Sequence, residues 1–324
     1  MIVLPIIVIL SMNFTYLNQH QELFPSVIGM TARQFNLILR KFSHNLALAE
    51  HEKAHKKKRL RKVGGGRIPR FDSDAKKLFF ILFYYKVYPT FRLAQAIFEL
   101  DKRNIQLWKE FLEPILQQSV SYQLQLPEIQ AKCIEHVFTI CPDLKHFITD
   151  ATERSVRRPK NQTTQKQYYS GKKKDHTVKN GLYIDPNNKR ILAITKTQLG
   201  KEADINLMRN DPTMLKIPPK SQGMGDLAYE GIPGWHPFLS FISPQKKPKG
   251  KELSAKDKAT NNSISSIRVK AEHVNAFMKH FNILRHDFRN RLRDIRNPNP
   301  DNLDAVHRPF FTIACLYNFS LTHR

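Results

Sequence analysis

Cysteine is scarce in this chain of 324 residues: Cys133, Cys141 and Cys315 form no CxxC pair. Their spacing excludes the usual zinc motifs and a disulfide framework, and fits reduced, mostly buried thiols of a cytosolic protein. Long hydrophobic runs are lacking too. The apolar start Met1–Leu10 (MIVLPIIVIL) is about half of what a bilayer span needs and is interrupted by Pro5. It has neither the positive n-region nor the small-residue cleavage site of a secretory signal, so it reads as a core strand or an extension upstream of the true start. No membrane partner is expected. Internal repeats are also missing, which excludes solenoids and propellers. Acids are few: 28 Asp+Glu stand against 53 Lys+Arg, a formal net charge of +25. Such an excess says little about fold but points to a polyanionic partner, nucleic acid before an anionic membrane. Hydrophobic residues make up 41% of the chain, enough to build a sizeable core in one large domain or two ordinary ones.

Along the chain, residues 1–52 form a helical segment behind the short apolar start, with Phe35, Leu39, Phe42 and Leu46 at helical spacing and Thr31 as N-cap. Residues 53–71 form a basic linker, with Lys56, Lys57, Lys58 and Arg59 ahead of Gly64-Gly65-Gly66. The glycines make it supple and the charges suit a DNA backbone. Residues 72–125 read as three helices. Asp72 or Ser73 caps the first. Pro89-Thr90 opens the second, with Leu93, Ala96 and Ile97 as its apolar face. A polar turn, Asp101 to Asn104, leads to the third, with Ile105, Trp108, Phe111 and Leu112 inward. The last two resemble a helix-turn-helix, whose Lys102, Arg103, Asn104 and Gln106 would face a groove.

The pattern then changes to strands: His146–Glu153, His176–Asp185 and Arg190–Leu199, the last two joined by the turn Pro186-Asn187-Asn188. A helix near Glu202–Arg209, strands at Met224–Ala228 and Phe238–Ile242, and a long helix from Ala255 to Phe281 complete the order β-β-β-α-β-β-α.

The chemistry concentrates at Phe147-Ile148-Thr149-Asp150, an apolar run ending on an acid and followed by Arg154, Arg157, Arg158, Lys160 and Tyr168-Tyr169-Ser170-Gly171-Lys172-Lys173-Lys174. An acid at a strand end suits a hard cation, and the bases suit an anion; a phosphodiester meets both needs. The first and fourth strands are expected side by side, bringing Asp150 to Asp226, which lies among the small residues of Gly223-Met224-Gly225-Asp226. On the long helix, Ile267, Ala271, Val274, Met278 and Phe281 form the apolar face. Ser265, Arg268, Glu272, Asn275 and Lys279 form a polar stripe beside it. Three carboxylates, Asp150, Asp226 and Glu272, suit two Mg²⁺ ions (Mn²⁺ as a substitute), and Arg268 and Lys279 suit phosphate. His176 and His273 read as structural.

These residues resemble a known family. Asp150-Ala151-Thr152-Glu153, Arg158-Pro159-Lys160 and Tyr168 through Lys179 are similar to the signature of DDE-superfamily transposases, of the bacterial insertion-sequence type with a Harbinger-like endonuclease domain. Gly225-Asp226 with Tyr229 and Gly231 resembles the block around the second aspartate. Ser265 through His273 resembles the block carrying the glutamate. Ala228 and Ala203-Asp204 depart from the family's usual glycine and His-Asp. The resemblance covers about residues 65–320. It implies an α/β, ribonuclease-H-like mixed sheet over about 140–320, preceded by the helix-turn-helix region, with Asp150, Asp226 and Glu272 as the metal-binding catalytic triad. It implies nicking at transposon ends and transfer of the 3′-hydroxyl into target DNA, by a homodimer on double-stranded DNA in the bacterial cytoplasm at the nucleoid. The DNA contacts would be Lys56, Lys57, Lys58, Arg59, Arg103, Arg158, Lys160, Tyr168, Tyr169, Lys172, Lys173, Lys174, Arg268 and Lys279, with the Arg285–Arg296 cluster. The alternative is a catalytically inactive, transposase-derived sequence-specific DNA-binding protein or regulator.

Overall fold

The structure, a computed structural model, describes residues 14–55, 69–124, 145–289 and 301–324, apart from Asn210, Lys216 and Pro218. The apolar start, Lys56, Lys57, Lys58, Arg59, the triple glycine, Cys133, Cys141 and most of the Arg285–Arg296 cluster lie outside these residues. The chain divides into two compact units. One comprises Met1–Tyr122, His280–Ile283 and Thr322–Arg324; the other comprises Gln123–Lys279 and Leu284–Leu321. No helix among the described residues is long and apolar enough to cross a membrane.

The first unit is helical: α1 (Phe14–Gln19), α2 (Phe24–Ile28), α3 (Ala32–His55), α4 (Asp74–Val87), α5 (Phe91–Phe98) and α6 (Lys102–Val120). Helix α3 starts at a reciprocal capping box: the Gln34 amide donates to Thr31 Oγ1 at 3.2 Å and the Thr31 amide donates to Gln34 Oε1 at 2.9 Å. It buries Phe35, Ile38, Phe42 and Leu46, with Ile38 taking the place expected for Leu39. Ser73 caps α4, whose residues Leu78 through Tyr85 are all buried. A helix apolar on every side belongs at the centre. Thr90 caps α5, but the expected apolar face is rotated: Ala94 and Phe98 are buried, while Leu93 is 44% exposed and Ala96 faces solvent. Phe98 sets this rotation by packing edge-on to Phe80 and Phe83, at 5.1 and 5.4 Å. Glu99 adopts a left-handed conformation that ends α5, and α6 starts at once at Lys102. The turn is therefore Glu99–Asp101, and Lys102, Arg103 and Asn104 occupy the exposed first turn of α6. Ile105 and Leu112 point inward; Trp108 and Phe111 are half-buried.

The second unit holds a mixed sheet: β1 (His146–Ser155), β2 (Tyr169–Ser170), β3 (Asp175–Ile184), β4 (Ile191–Ile194), β5 (Gln198–Leu199), β6 (Gln222–Met224) and β7 (Ser240–Ile242). The order is β2-β3-β1-β6-β7, with β4 and β5 also against β3. β3 is antiparallel to β1; β6 is parallel to β1 and β7 to β6. The helices are α7 (Gln162–Tyr168), α8 (Asp204–Arg209), α9 (Pro212–Leu215), α10 (Ala255–Lys279), α11 (Asn282–Arg285, at the boundary between the units) and α12 (Asp301–Thr322).

Two expected elements differ, and one helix was not expected. The third strand is split into β4 and β5. At the break the Asn180 amide donates to the Thr195 carbonyl and Thr195 Oγ1 accepts from the Gly181 amide, so side chains replace ladder bonds. The fourth strand ends at Met224: the Gly225 amide still donates to the Ile242 carbonyl at 3.2 Å, and Asp226 then caps the 3₁₀ turn Leu227–Tyr229. Helix α12 was not anticipated. Its buried Asn318 accepts from the Ile191 amide and donates to the Ile191 carbonyl, satisfying edge strand β4 with a side chain. Cys315, on the same helix, is buried.

Candidate active site

The β1–β6 ladder brings two acids together. Its last rung pairs Ile148 with Met224. Asp150 and Asp226 each stand two residues beyond that rung, and the Asp226 charge is close enough to act on the Asp150 carboxyl. Asp150 does not end its strand: β3 keeps pairing with β1 as far as Ser155. Only the β6 side stops, and this opens the edge of β1 beside Asp150. Gly225 makes the approach possible, since a Cβ there would lie 2.8 Å from the Tyr229 ring and 2.9 Å from the Phe241 ring.

Helix α10 closes the face. Asn275 donates to Asp150 Oδ2 at 2.7 Å, and Arg268 reaches Asp226 at 4.0 Å. Glu272 lies between them on the same stripe and, with Asp150, Asn275 and Lys279, lines a cleft of about 380 Å³. The polar stripe read from the sequence thus faces β1. Burial raises the pKa of Asp150 from 3.8 to about 6; the Asp226 charge adds to the rise, while Arg268 and the Asn275 amide oppose it. Asp226 is tied down locally, its Oδ1 accepting from the Ala228 amide at 2.9 Å. Ala228 is absent from the residues with positive φ, so this position has no backbone need for glycine.

Among the described residues, no three His, Cys, Asp or Glu side chains converge closely enough to hold one metal ion. The donors nevertheless suit one. They are carboxylate oxygens, as a hard divalent cation prefers.

The basic residues divide. Lys172 and Lys173 sit at the tip of the β2–β3 hairpin and line the same cleft as Glu272. The tip is pinned by Ser170, whose carbonyl accepts from the Lys174 amide and whose Oγ accepts from the Lys173 amide. Lys174 holds φ 54° there. Lys279 also lines the cleft, and its pKa is lowered by burial and by Lys173. Arg158 and Lys160 are exposed; both Nε and Nη2 of Arg158 donate to Gln165 Oε1. Tyr169 is 45% exposed. Tyr168 is a correction: its ring is buried with Val156, Val178, Phe288 and Val306, so it serves the core and offers no surface to DNA. Arg103 is exposed in the first unit.

The sequence profile of the family described as DDE superfamily endonuclease matches residues 149–318. The chain belongs to that family. The matched stretch covers just over half of the chain and contains Asp150, Asp226 and Glu272. The chain is also 34% identical over 146 residues to the probable transposase for insertion sequence element IS702 of Microchaete diplosiphon, covering 45% of this chain and 50% of that protein. The chain therefore spans about half the length of this curated relative. No solved structure matches.

Sequence reasoning missed two parts of this candidate site. Asn275 lay in the polar stripe but had no role; the parallel register that aims Asp150 at α10 assigns it one. The other is an ion network. Lys179, buried on β3, pairs with Glu153 at 3.1 Å and Asp204 at 3.0 Å. Lys179 and Glu153 are direct cross-strand partners. The alternating pattern around Glu153 held the only signal.

Proposed function

We propose that this DDE endonuclease is a transposase that cleaves DNA at transposon ends by metal-dependent phosphodiester hydrolysis and joins the freed 3′-hydroxyl to target DNA. The observation that carries the reading is the Ile148–Met224 rung, two residues short of Asp150 and Asp226, together with the cleft that Asp150 lines with Glu272 and the hairpin lysines Lys172 and Lys173. The strand order, with β3 antiparallel to β1 and β6 and β7 parallel to it, supports a ribonuclease-H-like sheet. Asp150, Asp226 and Glu272 would hold one or two Mg²⁺ or Mn²⁺ ions. When bound, such ions supply Lewis acidity at the phosphate and ease deprotonation of the attacking water.

The chain's own residues do the rest. Asn275 donates to the Asp150 carboxylate and favours its charged form. Arg268 orients Asp226. Lys172, Lys173 and Lys279 neutralise the phosphodiester entering the cleft. The exposed first turn of α6, with Arg103, supports a helix-turn-helix that would read the element ends. Double-stranded DNA is the partner, and a homodimer would pair two ends.

The test is a pair of assays on Asp150→Ala with labelled duplex carrying the element's ends. Nicking should be lost while binding changes less than about threefold, since the substitution removes no phosphate contact. Nicking at the wild-type rate by this variant would overturn the assignment.

A further inference from the structure

The cleft is lined by four carboxylates, Asp150, Glu153, Asp204 and Glu272, of which Asp150 and Glu272 belong to the proposed triad. They come from both faces of β1. Asp150 turns to α10 through Asn275, whereas Glu153, an odd number of residues along the strand, turns to the face that carries Asp204 at the start of α8. A divalent cation entering from the open edge meets both sets, and carboxylate chemistry alone does not distinguish them.

Lys179 distinguishes them. Its ammonium has three hydrogens and three acceptors at short range: the Glu202 carbonyl at 2.8 Å, Asp204 Oδ1 at 3.0 Å and Glu153 Oε1 at 3.1 Å. Its side chain is 7% exposed, as is that of Glu153, with Asp204 at 13%. Thr177 Oγ1 donates to the second oxygen of Glu153 at 3.3 Å. Both carboxylates are thus fixed on a charge that cannot diffuse away. Burial opposes the ammonium, but its hydrogen bonds to Asp204 and Glu153 outweigh that cost and its pKa is raised.

We propose that Lys179 is a built-in cation that occupies the Glu153–Asp204 pair and confines divalent ions to the Asp150 and Glu272 side of the cleft. The inference rests on the nuclease reading above. It makes Lys179 a positioning residue that sets where, and how many, ions bind.

The test uses the full chain and Mn²⁺ as probe, read by electron paramagnetic resonance and thermal unfolding. Glu153→Gln and Asp204→Asn should each keep the wild-type Mn²⁺ stoichiometry, and loss of a bound ion in either overturns the proposal. In a chain carrying Asp150→Asn, Asp226→Asn and Glu272→Gln, Mn²⁺ should leave the midpoint unchanged. Adding Lys179→Met should restore a Mn²⁺-dependent rise of about 3 °C or more; adding Lys179→Arg should not. A folded Lys179→Met chain without that rise also overturns the proposal. If the methionine variant fails to fold, the stoichiometries of the two acid variants decide. Wild type that binds no Mn²⁺ would sink the nuclease reading alone, because a gain on Lys179→Met would still support the lysine's role.

Discussion

Asp150→Asn should make the metal-free protein more stable at neutral pH. In the folded chain the Asp150 pKa rises from 3.8 to about 6 through burial and the Asp226 charge. Above about pH 6 the folded state must therefore carry a carboxylate it disfavours. The unfolded chain titrates near the ordinary value, so the folded state binds the extra proton between about pH 4 and 6. Stability present below this window is lost as pH rises through it. A shift of roughly two units corresponds to about 3 kcal/mol at most, and water entering the open cleft reduces this to about 1–2 kcal/mol. Asparagine keeps the shape and an oxygen to accept from Asn275. The assay is thermal unfolding in EDTA at pH 7.5 and pH 4, wild type beside variant. The variant's midpoint should lie about 3–6 °C higher at pH 7.5 and within about 1 °C at pH 4. A variant less stable than wild type at pH 7.5 would refute the claim that the two aspartates repel in a desolvated cleft.

Other perturbations probe separate parts. Lys172→Ala with Lys173→Ala should flatten the log–log salt dependence of DNA binding by about 1–2, roughly 0.9 per lost phosphate contact, as read by affinity titration across salt concentrations. Gly225→Ala pushes a Cβ against the Tyr229 and Phe241 rings; it should cost about 1–3 kcal/mol on denaturant unfolding and slow nicking by displacing Asp226. His307 is pushed down to about 4 by burial and by Arg154 and Lys196. With a depressed folded pKa, stability is full above the unfolded value near 6.5 and is lost as pH falls toward 4, by about 3 kcal/mol at most; His307→Gln should flatten that stretch of the stability–pH curve. Asn318→Leu leaves the Ile191 amide and carbonyl unsatisfied and should destabilise by about 2–4 kcal/mol on denaturant unfolding.

What the residues disclose beforehand depends on whether the signal is local. Thr31, Ser73 and Thr90 announce helix starts because a cap is a bond across three residues. The turn after Ile184 is equally plain, with Asp185 accepting from the Asn187 amide. The stripe Arg268, Glu272, Asn275 and Lys279 is legible as helical periodicity. Non-local relations are not. That Asn275 bonds Asp150 depends on a register 125 residues away, and the Lys179 network needs β1, β3 and α8 at once. The rotation of α5 follows from the Phe98 ring entering a cluster built by α4, which the α5 sequence does not contain. Tyr168 and Tyr169 look alike in sequence, yet the hairpin buries one and exposes the other. The break between β4 and β5 comes from side chains substituting for ladder bonds, a competition that strand propensity does not register.

The central claim is that Asp150 and Asp226 form one metal-dependent nuclease centre. The most direct measurement is cleavage of labelled duplex bearing the element's own ends, in Mg²⁺ or Mn²⁺ and in EDTA, for wild type beside Asp226→Asn. Nicking that requires the metal and vanishes in the variant, with binding retained, is the predicted result. Nicking that persists in EDTA, or in Asp226→Asn at the wild-type rate, would contradict the account.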